Sequence, residues 1–129
     1  MKKLILPAFF CPAAFFLFVN FIPAKKEKKV KTTQVRIFTI NRGKMNEFVS
    51  AWQKGVYPLR IKYGFTIEKA WVVREKNKFI WILSYDGPEG FEAKDSAYYA
   101  SQARITLQPN PVDYIADSEN YFLDNALPE

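Results

Sequence analysis

From Phe79 to Tyr85 the chain reads Phe-Ile-Trp-Ile-Leu-Ser-Tyr, six apolar or aromatic residues in seven. A strand covered on one face alternates apolar with polar, whereas a strand apolar on both parities is covered on both. Phe79, Trp81, Leu83 and Tyr85 share one face, and Ile80 and Ile82 share the other. A domain of about a hundred residues has helices enough for one sheet face. The second cover is expected to be another copy of the chain. Parity alone does not say which set meets the partner. The bulkier set suits packing against the first helix, which leaves Ile80 and Ile82 for the dimer.

The other elements follow from the same patterning. Val35, Ile37 and Thr39 alternate with Arg36, Phe38 and Ile40 in a first strand from about Gln34 to Ile40. Asn41-Arg42-Gly43 turns the chain, and Lys44 opens the longest helix. Met45, Phe48, Val49, Trp52, Val56, Leu59 and Tyr63 lie at spacings of three and four, with one step of one, the stripe of an amphipathic helix. Pro58 inside it predicts a kink or break near Lys54–Tyr57, and Gly64 ends it. Thr66–Glu75 alternates as a second strand, with Ile67, Lys69, Trp71 and Val73 on one parity. Lys76-Asn77-Lys78 makes a tight hairpin into the central strand. Gly87-Pro88 starts a second helix running to about Arg104, with Pro88 at its first position. On it Phe91, Tyr98 and Ile105 share a line, so Tyr98 is expected inward and Tyr99, about 100° away, outward. Asn110 caps a short helical turn through Ala116, and Ser118–Asp124 is the last strand. The order is the βαββαβ pattern of an α+β, ferredoxin-like sandwich.

Ahead of this domain, assigned to 34–129, lie a leader (1–24) and a basic linker (25–33). Met1-Lys2-Lys3 precedes twenty-one uncharged residues from Leu4 to Ala24, which reads as a signal peptide cleaved after Ala24. Export to the periplasm or outside the cell follows. A retained membrane anchor and a misassigned start codon in a cytoplasmic protein stand beside this reading. The linker lysines favour cytoplasmic retention, and Pro7, Pro12, Asn20 and Pro23 weaken a span. The net charge of +6 belongs wholly to the first 31 residues, because from Thr32 onward 12 basic residues meet 12 acidic ones. The folded part therefore carries no basic signature for nucleic acid. The linker is a membrane-binding patch only if the leader is retained.

The chain has no histidine and one cysteine, Cys11, in the leader. That removes the commonest general base and metal ligand, a disulfide framework and any Cys-His nucleophile. No catalytic residue, metal ligand or cofactor is assigned.

The segments Val35-Arg36-Ile37-Phe38-Thr39-Ile40, Gly43-Lys44-Met45-Asn46-Glu47-Phe48, Pro58-Leu59-Arg60, Tyr63-Gly64-Phe65, Trp81, Tyr85-Asp86-Gly87 and Tyr98-Tyr99-Ala100-Ser101 follow in an order and spacing that resembles the NIPSNAP family, within the dimeric α/β-barrel superfamily. The resemblance implies a homodimer whose sheets pair face to face. It implies no reaction, since the superfamily holds cofactor-free monooxygenases, haem-degrading enzymes and members without known activity. Family members commonly begin at the first strand, so the leader is a departure.

Candidate chemistry is confined to aromatic and charged residues. Trp52, Trp71 and Trp81 with Tyr85, Tyr98 and Tyr99 would line a pocket for a flat ligand, or else fill the core and the dimer interface. Arg36 offers a fixed donor fork for a ligand carboxylate, or else makes an ion pair or reaches solvent. Arg36, Trp81, Tyr85 and Tyr98 are the candidate ligand-binding residues. Asp95 is placed for a hydrogen bond to Tyr98 or Tyr99, and Arg60 for neutralising carbonyls at the helix end. The leading function is an exported dimeric barrel that binds an apolar or aromatic small molecule or serves as an interaction module. The alternatives are a cofactor-independent monooxygenase or isomerase using Tyr98, Trp81 and Arg36 to orient substrate, and a membrane-tethered adaptor. Lack of histidine favours the first, since catalysis would fall to Tyr, Asp, Glu or Lys.

Overall fold

Strand β3 (Lys78–Tyr85) pairs antiparallel with β1 (Thr32–Ile40) on one side and β2 (Thr66–Val73) on the other; β4 (Ile115–Leu123) adds to β1, giving the order β2-β3-β1-β4. The helical connections α1 (Met45–Ala51), α2 (Tyr57–Lys62), α3 (Phe91–Ala100) and α4 (Gln102–Ile105) supply the helix layer of a ferredoxin-like sandwich. This computed structural model describes Lys3, residues 22–24 and residues 30–128. The export and anchor readings of the leader, and most of the linker, therefore lie outside the described residues. Among the described residues no helix is long and apolar enough to cross a membrane.

The central strand faces the helices as the bulk of its side chains requires. Phe79, Trp81, Leu83 and Tyr85 are buried in one cluster with Phe48, Trp52, Phe65, Phe91 and Tyr98. Rings set the spacing: Phe79 lies 5.0 Å from both Phe48 and Trp52, and Trp52 lies 5.4 Å from Trp81. Burying each such ring contributes about 1.5–3 kcal/mol. On the opposite face the register aligns Val35 with Ile82 and Ile37 with Ile80. That half-buried row is flanked by exposed Trp71 beside Ile80 and exposed Tyr121 beside Val35.

Several local expectations are corrected. The irregularity expected near Lys54–Tyr57 is present, as a widened turn and not as a break. A π turn at Trp52–Val56 joins α1 to α2, with the Tyr57 N–H bonded to the Trp52 carbonyl five residues back. The wider turn ahead of Pro58 absorbs its missing donor and lets the helix continue. Gly55 in that turn lets Leu107 pack close, since a Cβ there would sit 2.9 Å from the end of the Leu107 side chain. The second strand ends at Val73 rather than Glu75, in a 3-10 turn (Arg74–Lys76) that Asn77 closes at φ +50°. Its parity also changes, because a bulge between Ile67 and Lys69 turns Ile67 to the helices and sends Trp71 and Val73 to the open face.

The second helix starts at Phe91, since Pro88 lies in the preceding turn and Gly90, at φ +83°, makes the entrance. It ends at Ser101, which goes extended; its hydroxyl accepts the Arg104 N–H at 3.2 Å and so restarts the chain as α4. The break explains why Tyr98 and Phe91 are buried while Ile105, expected on their line, is exposed. Asn110 caps a 3-10 turn, Pro111–Tyr114, by accepting the Val112 N–H, and β4 begins at once at Ile115 instead of Ser118.

Candidate functional site

Alternation along β1 puts Arg36 on the helix-facing side, opposite Trp81 in the pairing register. A guanidinium under a helix layer has lost its water and needs protein acceptors. Arg36 finds three: Nε donates to Gln34 Oε1 at 2.7 Å, Nη1 to the Tyr99 hydroxyl at 2.7 Å, and Nη2 to Asp95 Oδ2 at 2.9 Å. Asp95, one turn into α3, offers its other oxygen to Arg60 Nη1 of α2 at 2.5 Å. One carboxylate thus holds two guanidiniums from two other elements. A third, Arg104 of α4, is buried too and donates to the neutral Asn110 Oδ1 at 3.2 Å. Among the described residues this cluster carries three positive charges against one negative.

Aromatic faces share the load. The Arg60 guanidinium carbon lies 3.6 Å from the centroid of Tyr98 and 4.7 Å from that of Phe65. Arg36 stands 5.6 Å above Trp81, and Arg104 5.6 Å from Tyr99. Burial first, and then the charge of Arg36, hold the Arg60 guanidinium below its ordinary range, against Tyr99 and Asp95, which raise it. Burial pushes the Tyr98 phenol up, opposed by Arg60 and Arg104. The net upward direction, set by burial, keeps Tyr98 neutral around pH 7.

Behind this cluster is a cavity of about 40 Å³ walled by Phe38, Trp52, Arg60, Trp81, Tyr98 and Tyr99, with Arg104 also at its edge. Four of the residues lining it carry a buried polar atom without a hydrogen-bond partner: Trp52 Nε1, Trp81 Nε1, Arg60 Nε and the Tyr98 hydroxyl. Three are donors only, and the fourth is a hydroxyl that gives or takes. Unmet donors at one place call for an acceptor. The volume suits about three waters or one compact headgroup. Outside it, a surface groove of about 370 Å³ runs along β4 past Arg36, Asp117, Ser118 and Asn120. Groove and cavity share Phe38, Tyr99, Val112 and Ile115, so Tyr99, 45% exposed, is part of the wall between them.

Of the four residues expected at a ligand site, the fold brings three together. Trp81 and Tyr98 wall the cavity, and Arg36 lies over Trp81 at the groove. Tyr85 stands apart: it packs on Phe65 at 5.2 Å and donates its hydroxyl to Glu89 at 2.5 Å. Glu89 pushes the Tyr85 phenol up to about 12. Trp71, expected with the pocket aromatics, is on the opposite face for the bulge reason given above. The Asp95–tyrosine bond is replaced by Asp95–arginine bonds, and the head of Arg36 is buried in its ion pair instead of reaching solvent. Arg60, expected at carbonyls, is 1% exposed beneath α3. Its position carried a signal, because Trp52, Val56 and Arg60 step by four down the inward line of the helix. Arg104 carried none, since its burial depends on the Ser101 break. Among the described residues no group of three or more His, Cys, Asp or Glu is placed to hold a metal ion.

Compared with known proteins, the chain matches no family model and no curated protein. Solved structures do match. An uncharacterised NIPSNAP domain protein from Burkholderia xenovorans is 22% identical, with a TM-score of 0.66 over 76% of this chain and 99% of that one. A NIPSNAP family protein from Agrobacterium tumefaciens is 18% identical, with a TM-score of 0.66 over 81% of this chain and 91% of its own. A candidate antibiotic biosynthesis monooxygenase from Nitrosomonas europaea is 11% identical, with a TM-score of 0.58 over 78% and 95%. The chain has the fold of the NIPSNAP family proteins, a ferredoxin-like sandwich shared with antibiotic biosynthesis monooxygenases.

Proposed function

We propose that this is an exported protein that binds a small molecule, aromatic or apolar in its body, with its compact end in the cavity between the central strands and the helices and its body in the adjoining surface groove. The observation that carries the reading is that four residues lining one largely apolar cavity each carry an unpartnered buried polar atom. A cavity that only closed a core would be dry and apolar. A ligand with an apolar body and a polar end suits these two spaces, with the compact end against Trp52 and Trp81 and the body in the groove beyond Tyr99. Soaking crystals with a set of compact aromatic fragments tests it. Fragment density in contact with Trp81 and Trp52 is the expected result; fragments confined to the open sheet face, or none bound at all, would overturn it.

A second reading is favoured by the likeness to candidate antibiotic biosynthesis monooxygenases: oxygenation of the bound molecule without a cofactor. Tyr98, neutral beside Arg60, would orient the substrate. Oxygen uptake by the protein alone with a bound phenolic fragment separates this reading from simple binding.

A further inference from the structure

We propose that the molecule taken up here is an anion, its compact carboxylate-sized head held in the cavity beside Arg60 and Arg104 and its body lying in the groove outside Tyr99. The proposal rests on the small-molecule reading above and adds the ligand's charge and its placement.

The first argument is charge. Arg36, Arg60 and Arg104 are each less than a tenth exposed, and Asp95 is their one carboxylate among the described residues. Each nitrogen of Arg36 has a partner, in Gln34, Tyr99 and Asp95. Arg60 keeps a free, buried Nε–H, and the one acceptor side chain of Arg104 is an amide. Buried guanidiniums left without counter-charge are costly, and stacking on aromatic rings offsets part of that only. An anion at this place would supply the missing charge; water would not.

The second argument is polarity of the hydrogen bonds. Trp52 Nε1, Trp81 Nε1 and Arg60 Nε can only donate. A neutral amide or alcohol head would bring donors of its own to a site already rich in them. A carboxylate brings two oxygens with about four acceptor positions. A cation would meet three like charges.

The third argument is size. About 40 Å³ takes a carboxylate but no ring, so any body must extend through the shared wall into the groove of about 370 Å³. Tyr99 is one of the four side chains of that wall, and Val112 is another that stands half in solvent. The Tyr99 hydroxyl is held by Arg36, whose bond to Asp95 survives a movement of the tyrosine.

Benzoate and its neutral isostere benzamide, titrated into the ¹⁵N-labelled full chain, test this by the indole N–H resonances. Trp52 and Trp81 line the site, while Trp71 on the opposite face is the internal control. Benzoate should shift the first two resonances and not the third, at least tenfold more tightly than benzamide. Arg104→Gln should remove that preference, and Arg104→Lys, which keeps the charge, should retain it. Equal binding of the two compounds through Trp52 and Trp81 would overturn the anion inference and leave small-molecule binding standing. No shift of Trp52 or Trp81 with either compound, or a shift of Trp71 alone, would overturn both.

Discussion

Arg60 and Asp95 meet at 2.5 Å beneath α3, and the same carboxylate reaches Arg36 through its second oxygen. The pair ties α2 to α3 and, through Arg36, both to the central sheet. The geometry makes the acid irreplaceable and each base less so. Losing Asp95 strands two buried guanidiniums; losing Arg60 leaves Asp95 still paired with Arg36.

Asp95→Asn is therefore expected to cost about 3–5 kcal/mol in urea unfolding, the scale for an orphaned buried charge. Arg60→Met should cost clearly less, because an apolar side chain of similar length fills the same aromatic slot. Equal losses for the two variants would refute the shared-carboxylate account.

How far the chain could be read beforehand depends on the range of the signal. The orientation of Phe79–Tyr85 and the inward turn of Tyr98 were legible, because period and bulk act along one element. Ile67 and Trp71 were misassigned together by a single bulge, which flips every later side chain of a strand without any mark in composition. Ile105 was misplaced for the equivalent reason on the helix side, where Ser101 resets the helical phase. The arginine cluster was legible only in pieces. Arg36 showed by parity, Arg60 lay unrecognised on an apolar line, and Arg104 had no local signature. What unites them is Asp95, and a partner 35 or 59 residues away cannot be read from spacing.

Tyr85 and Glu89 should give stability a pH dependence of defined sign. The Tyr85 phenol is raised from 10.0 to about 12, chiefly by the bond to Glu89, so folding favours its protonated form. That contribution is whole below pH 10.0 and is lost as pH rises through about 12. The Glu89 carboxyl is lowered from 4.5, first by the same bond, so its contribution is present above pH 4.5 and lost as pH falls through its lowered value. The difference in Tm between the native protein and Tyr85→Phe should be level between these limits and shrink beyond each. A difference that grows above pH 10 would have the wrong sign.

Gly87 owes its identity to the same tyrosine. A Cβ at this position would lie 2.0 Å from the Tyr85 hydroxyl oxygen and 2.6 Å from its ring edge, in a ring packed against Phe65. Gly87→Ala is expected to cost about 1–3 kcal/mol as overpacking. In a Tyr85→Ala background the same change should be close to neutral, so a double-mutant cycle should show strong coupling. Independent, additive effects would show that Gly87 serves only the turn.

The open face of the sheet makes the last prediction. Val35, Ile37, Ile80 and Ile82 form a continuous apolar row, flanked by Trp71 at 48% exposure and Tyr121 at 53%. No described segment of the chain covers it. An apolar row with two exposed aromatics, rimmed by Lys69 beside Ile82 and Glu119 beside Ile37, is a surface that water disfavours, and a second copy presenting the same row is its self-complementary cover. A standard interface of roughly 800 Å² per partner would suffice. The native protein should sediment as a dimer at micromolar concentration. Ile82→Asp should dissociate it, because an unpaired carboxylate is not tolerated in an apolar contact. Trp71→Asp makes the same test without risk to the fold, since that side chain already stands in solvent within one subunit. If Trp71→Asp stays dimeric, the contact lies elsewhere; if the native protein is a stable monomer, the two-sided reading of β3 fails with it.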